Sequence, residues 1–225
     1  MSQVRPILVE KNIVEFQQYI GTNMSQDIVF KVKSSIYGNG RGWAFTPNDF
    51  LTFGNLRTIY ETLTRLHKSG FIRKLGRALY DYPRVHEKIG TMPPDIEQVA
   101  KAIARRDNIK ILPSGAYAAN MLGLSDQVPG RVVYLTDGPA RRIKLGKTQM
   151  VFRKTTPRNM ATAGTPAGLV IQALKNIGRN HTDEIIIAKL RRRVPKKDWP
   201  MLRKSAKFAP DWIRKVIFEV TKESD

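Results

Sequence analysis

The chain has no cysteine, only three histidines, far fewer acidic than basic residues (19 against 39), and no apolar run near the ~18–20 residues of a membrane span. Lack of cysteine excludes a disulfide scaffold, thiol catalysis and any thiolate-bound zinc or iron–sulfur centre. His67, His86 and His181 are too far apart in sequence to form a local metal-ligand motif. No P-loop, dinucleotide fingerprint or Gly-x-Ser-x-Gly phrase occurs, so nothing argues for a cofactor or for an enzyme. The one adjacent acidic pair, Asp183-Glu184, follows Thr182 at an expected helix start, where acids complement the helix dipole. The amino terminus lacks a basic stretch followed by an apolar one, and the expectation is a cytoplasmic protein with no membrane partner.

What is abundant is positive charge: the formal net charge is +20 and the isoelectric point is near 10.4. An acidic partner is implied, with nucleic acid the leading reading and a membrane surface or acidic protein the alternative. At 41% hydrophobic residues the chain is no disordered basic tail. Its 225 residues, at about 100–200 per domain, suggest two modest domains. The clearest break is Gly90-Thr91-Met92-Pro93-Pro94. This gives an amino-terminal extension at 1–22, in which Ile13, Phe16 and Ile20 suggest a short helix, a first domain at 23–90 and a second at 91–225. Residues 1–90 hold 13 basic and 7 acidic residues and residues 91–225 hold 26 and 12, so both parts can face acidic surfaces.

The first domain reads as a winged helix-turn-helix. Ile28, Val29, Val32 and Ile36 have helical spacing, and Gly38, Gly40 and Gly42 punctuate the loop after them. That loop precedes an extended run and lacks a following Lys-Ser/Thr, so it reads as a flexible turn and not a phosphate cradle. Trp43-Ala44-Phe45 is extended, and Thr46-Pro47-Asn48-Asp49 caps a short second helix. After a tight turn, Asn55 caps a third helix whose Leu56, Ile59, Leu63 and Leu66 share one face. The opposite face carries Arg57, Glu61, Thr64 and Lys68, with Thr58 and Arg65 flanking it, an inventory suited to phosphates and base edges. Phe71 to Tyr82 reads as a hairpin, the wing, with Arg73, Lys74 and Arg77 at or near its tip. The expected DNA-binding residues are thus Asn55, Arg57, Thr58, Arg65, Lys68, Arg73, Lys74 and Arg77. The alternative is a module for protein contacts with an ordinary solvated helix face.

The second domain reads as α+β. A helix is expected from Asp95 to Asp107, a strand at 109–112 and a small-residue helix at 116–122. Runs at 131–136, 140–145 and 148–154, separated by Asp137-Gly138-Pro139 and Gly146-Lys147, suggest a short antiparallel meander. It gathers Arg141, Arg142, Lys144, Lys147, Arg153 and Lys154. The candidate second surface, for a protein partner or nucleic acid, is Arg141, Arg142, Lys144 and Lys147; the alternative is an edge protected by charge. Helices at 165–177, 182–193, 197–206 and 210–221 then form a carboxy-terminal bundle, with Trp199, Phe208, Trp212 and Phe218 expected in its core.

Five phrases carry a family resemblance: Gly42 to Phe50, Leu63 to Gly70, Gly76 to Pro83, Pro113 to Ser125, and Val133 to Pro139. The first three are common to many winged-helix proteins; the last two, in that order, carry the specificity. Together they resemble the AbiEi-type antitoxins of bacterial toxin–antitoxin systems, in the branch that begins with a winged-helix domain. The resemblance implies a protein that represses its own operon through the winged helix and neutralises a co-transcribed nucleotidyltransferase toxin. It places DNA contacts on Arg57, Thr58, Arg65, Arg73, Lys74 and Arg77, and supplies no residue-level motif for neutralisation. The runner-up is a winged-helix transcriptional regulator whose second domain senses a ligand or oligomerises. A nucleic-acid-processing enzyme using Asp183 and Glu184 ranks third.

Overall fold

The computed structural model describes residues 27–127 and 129–222, which divide into two compact units at the Arg106/Asp107 boundary. The break expected near residue 90 therefore falls inside the first unit. The expected extension at 1–22 lies outside the described residues. The protein is mixed α+β, as the alternation of short apolar strands and longer helical stripes implies.

In the first unit, α1 (residues 27–39) buries Ile28, Val32 and Ile36. A turn through Gly42 (φ +94°) leads to β1 (Ala44–Phe45). A Cβ at Gly42 would overlap the Arg84 guanidinium, so both backbone angle and space call for glycine there. A 3-10 turn (Pro47–Phe50) follows, then α2 (Leu56–Lys68), β2 (Arg73–Gly76) and β3 (Leu79–Asp81). β1, β3 and β2 make one antiparallel sheet in that order. Its core is rich in aromatics: Phe45, Phe50, Tyr80 and Tyr82 pack with Ile59, Leu63, Leu66 and Ile72, and Trp43, Phe53 and Phe71 close the margin. Large rigid rings let so small a unit bury enough apolar area.

Beyond β3, a two-stranded hairpin, β4 (Val85–His86) and β5 (Gly90–Thr91), exposes all four strand residues. α3 (Ile96–Asp107) completes the unit, with Asp95 capping it by accepting from the Glu97 and Gln98 amides. Arg105 on α3 donates to the Asp49 carboxylate at 2.8 Å and to the Ala44 carbonyl at 3.0 Å.

The second unit contains β6 (Ile111–Ser114), α4 (Ala116–Met121), β7 (Arg131–Thr136), β8 (Arg141–Leu145) and β9 (Thr148–Lys154). The sheet order is β6-β7-β9-β8, and β7 and β9 are parallel. The expected antiparallel meander is therefore corrected: the chain leaves β7, skips one strand position to form β8, and β9 folds back into the gap. Alternation along each strand looks the same in either topology, so the sequence pattern could not separate them.

α5 (Pro157–Met160) and α6 (Pro166–Ile177) come next, with Thr156 and Thr165 as caps and a proline at the first helical position of each. A Cβ at Gly168 would overlap the Thr162 carbonyl oxygen and crowd Leu112, so glycine lets α6 approach β6 closely. α7 (Glu184–Arg193), α8 (Trp199–Ser205) and α9 (Asp211–Val220) form the helical cluster. With α4 and α6 they bury Ala118, Ala119, Val170, Leu174, Leu190, Leu202, Ile213 and Ile217. Trp199 is buried there, and Trp212 packs against it half-buried. Phe218 is 49% exposed, which corrects its expected core position: on α9 the inward stripe is Ile213, Ile217 and Val220. Arg191 donates to the Glu219 and Val220 carbonyls, and Arg203 to the Thr221 carbonyl and hydroxyl. Two guanidiniums so satisfy the carbonyl end of α9.

Candidate nucleic-acid interface

α2 starts where Asn55 Oδ1 accepts from the Thr58 amide (2.9 Å) and hydroxyl (3.0 Å). Asn55 and Thr58, both expected at a DNA interface, thus also build the helix start. Ile59, Thr62, Leu63 and Leu66 face the core. Leu56, expected on that face, is 44% exposed at the first position of the helix. Arg57, Glu61, Thr64, Arg65 and Lys68 are all exposed, and Tyr60 joins them at 39%. Arg57 Nε lies 3.2 Å from Glu61 Oε1 on a side chain that is 90% exposed, so this pair is weak and readily exchanged. Arg65 and Lys68 sit in the last turn, where cations also complement the dipole. Tyr60 was missed in the sequence because it lies off both the apolar stripe and its opposite face. Burial, and after it the neighbouring Tyr60, raise the Tyr80 hydroxyl above its ordinary range.

The β2–β3 hairpin turns at Arg77-Ala78, with Gly76 opposite Leu79 and a register irregularity between Lys74 and Gly76. Ala78 has φ +52°, an uncommon conformation for a residue with a Cβ. Lys74 and Arg77 project from this ribbon into solvent. Arg73 does not: its guanidinium grips both carboxylate oxygens of Asp81 (3.0 and 2.6 Å) and the Met92 carbonyl (2.9 Å). Asp81 is 1% exposed, so Arg73 is a strut holding β2 to β3, which corrects its expected place among the tip cations. In a strand of alternating exposure Arg73 and Lys74 must point to opposite faces. Arg84 likewise donates to Asp95 at 3.0 Å.

In the second unit, pairing register puts Arg142 and Lys144 on one face of β8 and Arg141, Ile143 and Leu145 on the other. Arg141 pairs with Asp107 and lies over the Phe152 ring at 5.2 Å, so it leaves the expected basic surface. Lys147 is exposed in the β8–β9 turn. On the Arg142 face, β9 presents Gln149, Val151 and Arg153 and β7 presents Arg131. Arg131, Ala140, Arg141, Arg142, Val151, Phe152 and Arg153 line a groove of about 410 Å³, open at the β8 edge of the sheet.

Asp183 caps α7 by accepting from the Ile186 amide at 2.9 Å. His67 Nδ1 lies 3.3 Å from the Ile72 carbonyl, and His86 accepts from the Lys88 amide. Among the described residues no group of three or more His, Cys, Asp or Glu could hold a metal ion, and no helix is long and apolar enough to cross a membrane.

No curated protein matches the chain. Among solved structures it is similar to the RV2827C protein from Mycobacterium tuberculosis, at 14% identity over 90% of this chain and 83% of that one, with a TM-score of 0.43. With residues 31–201 matching its model, the chain belongs to DUF6088, a family of unknown function.

Proposed function

We propose that residues 27–106 form a winged helix-turn-helix that binds double-stranded DNA site-specifically, and that the protein is the autorepressing antitoxin of a toxin–antitoxin pair. The observation that carries the DNA reading is the joint exposure of two basic elements of one unit. α2 offers Arg57, Thr64, Arg65 and Lys68 on its outer face, and the β2–β3 hairpin offers Lys74 and Arg77 at its tip. The order of helix, strand, 3-10 turn, helix and hairpin, with the three strands in one sheet, supports it too. A helix of 13 residues with short polar groups among its cations fits a major groove, and the ribbon beside it suits phosphates. The antitoxin reading rests on the resemblance of Pro113 to Ser125 and Val133 to Pro139 to AbiEi-type antitoxins.

Two experiments test the two parts. The full chain, titrated at about 0.15 M salt against its own upstream region and a shuffled duplex, should prefer the former by at least about 10³-fold. Equal affinity for both defeats site-specific binding, since a +20 protein binds any polyanion when salt is low. Expression of the adjacent gene should arrest growth, and co-expression of this chain should restore it. A harmless neighbour, or no restoration, leaves the DNA-binding regulator as the surviving reading.

A further inference from the structure

The groove on the second unit's sheet has no part in the DNA-binding reading. Val151, Phe152 and Ala140 supply its apolar lining, Arg142 is directly opposite Val151 in the β8–β9 ladder, Arg153 is the next same-face residue of β9, and Arg131 stands across from Gln149 on β7. Neighbouring strands lie about 4.8 Å apart, so three arginines on three adjacent strands share one face around Val151 and line the same groove. The outward positions of β7, β8 and β9 hold no Asp or Glu, and among the described residues these three arginines have no carboxylate partner. Arg141, on the opposite face of β8, does have one in Asp107. The groove thus holds three planar forks, each able to take two phosphate oxygens and without a carboxylate partner among the described residues, beside the Asp107-paired Arg141.

Size and convergence select the ligand. A groove of about 410 Å³ matches a small-molecule site, and forks gathered around one residue suit a compact polyanion better than a backbone that runs past in a line. Phosphates joined through a single bridging oxygen are packed more closely than phosphates separated by sugars. We propose that this groove binds an anhydride-linked phosphate chain, carried by a nucleoside triphosphate or present as inorganic tripolyphosphate.

Calorimetric titration of the full chain at about 0.15 M salt, where weak surface attraction is largely screened, tests it with tripolyphosphate, ATP and orthophosphate as separate probes. Tripolyphosphate or ATP should bind saturably at one site per chain, and tighter ATP would identify the nucleotide as the source. The Arg142→Ala/Arg153→Ala variant should lose at least about tenfold in affinity, and Lys74→Ala should change it less than about twofold. Arg142→Lys/Arg153→Lys, which keeps the charge and removes the forks, should fall between the two. Thermal unfolding of each variant checks that it is folded. Absence of saturable binding, equal loss in Lys74→Ala, or orthophosphate binding as tightly as tripolyphosphate overturns the proposal. So does an oligonucleotide whose binding needs Arg142 and Arg153 while tripolyphosphate does not bind. Failure of site-specific duplex binding leaves the groove untouched, because different residues carry it.

Discussion

In the first unit Arg73, Arg84 and Arg105 each end on a carboxylate, Asp81, Asp95 and Asp49, whereas on the outer face of the second unit's sheet Arg131, Arg142, Lys144 and Arg153 meet none among the described residues. Both units are basic, yet a cation count locates neither surface. The first unit is small and built around aromatic rings, and three arginines serve as struts between its strands, loops and α3. The second has an aliphatic, alanine-rich helical core, and of its sheet's arginines Arg141 alone is tied to a carboxylate, Asp107, among the described residues, while Arg131, Arg142 and Arg153 face outward. A charge marks a candidate interface only after its local partners are known.

The sharpest way to break this contrast is Asp81→Ala. It strands a guanidinium against a buried wall and should destabilise the first unit by about 3 kcal/mol. Trp43 reports on the first unit and Trp199 and Trp212 on the second, so denaturant melts of single-tryptophan variants should show the loss at Trp43 alone. An equal shift at both probes would mean that the units unfold together. Gly168→Ala is the converse test. Pushing α6 from Thr162 and Leu112 should cost about 2 kcal/mol, read at Trp199 and Trp212.

Arg57→Ala should lose about 1–2 kcal/mol of operator affinity and relax specificity, while Lys74→Ala weakens specific and shuffled duplexes alike and lowers the salt slope by about 1. Identical losses on both duplexes in the two variants would remove α2 as the reading helix. Ala78→Gly should raise first-unit stability by about 0.5–1 kcal/mol by relieving the positive φ, as thermal melts would show.

The smallest effect concerns Lys175, whose ammonium is held below the ordinary lysine range by burial and then by Arg158. A lysine with a lowered folded value binds fewer protons folded than unfolded between that value and 10.5, so second-unit stability rises with pH across this interval. Lys175→Met should flatten that rise in melts taken at increasing alkaline pH.

Local chemistry made much of the fold legible. Thr46-Pro47, Asn55 and Thr165-Pro166 mark helix starts by hydrogen-bonding physics that acts over three or four residues, and all three head the helices expected. The stripe of Ile59, Leu63 and Leu66 likewise identified the buried face of α2. Less legible was anything that depends on which strand lies beside which. Arg73 and Arg141 looked like surface cations because their carboxylate partners lie 8 and 34 residues away. Arg131 and Arg153 looked unrelated until the parallel pairing of β7 with β9 put them on one face. Phe218 was misread because an aromatic residue in a helix does not itself reveal which side of the helix is covered.

By itself the sequence determined the α+β class, the positions of most helices and strands, the excess of positive charge and the outer face of α2, because periodicity, capping and composition act within a few residues. Tertiary structure alone decided that the first unit extends through α3, that the sheet runs β6-β7-β9-β8, and which arginines are struts and which share the outer face around Val151. Those outcomes depend on contacts between segments distant in the chain, where strand order and register place side chains on one face or the other.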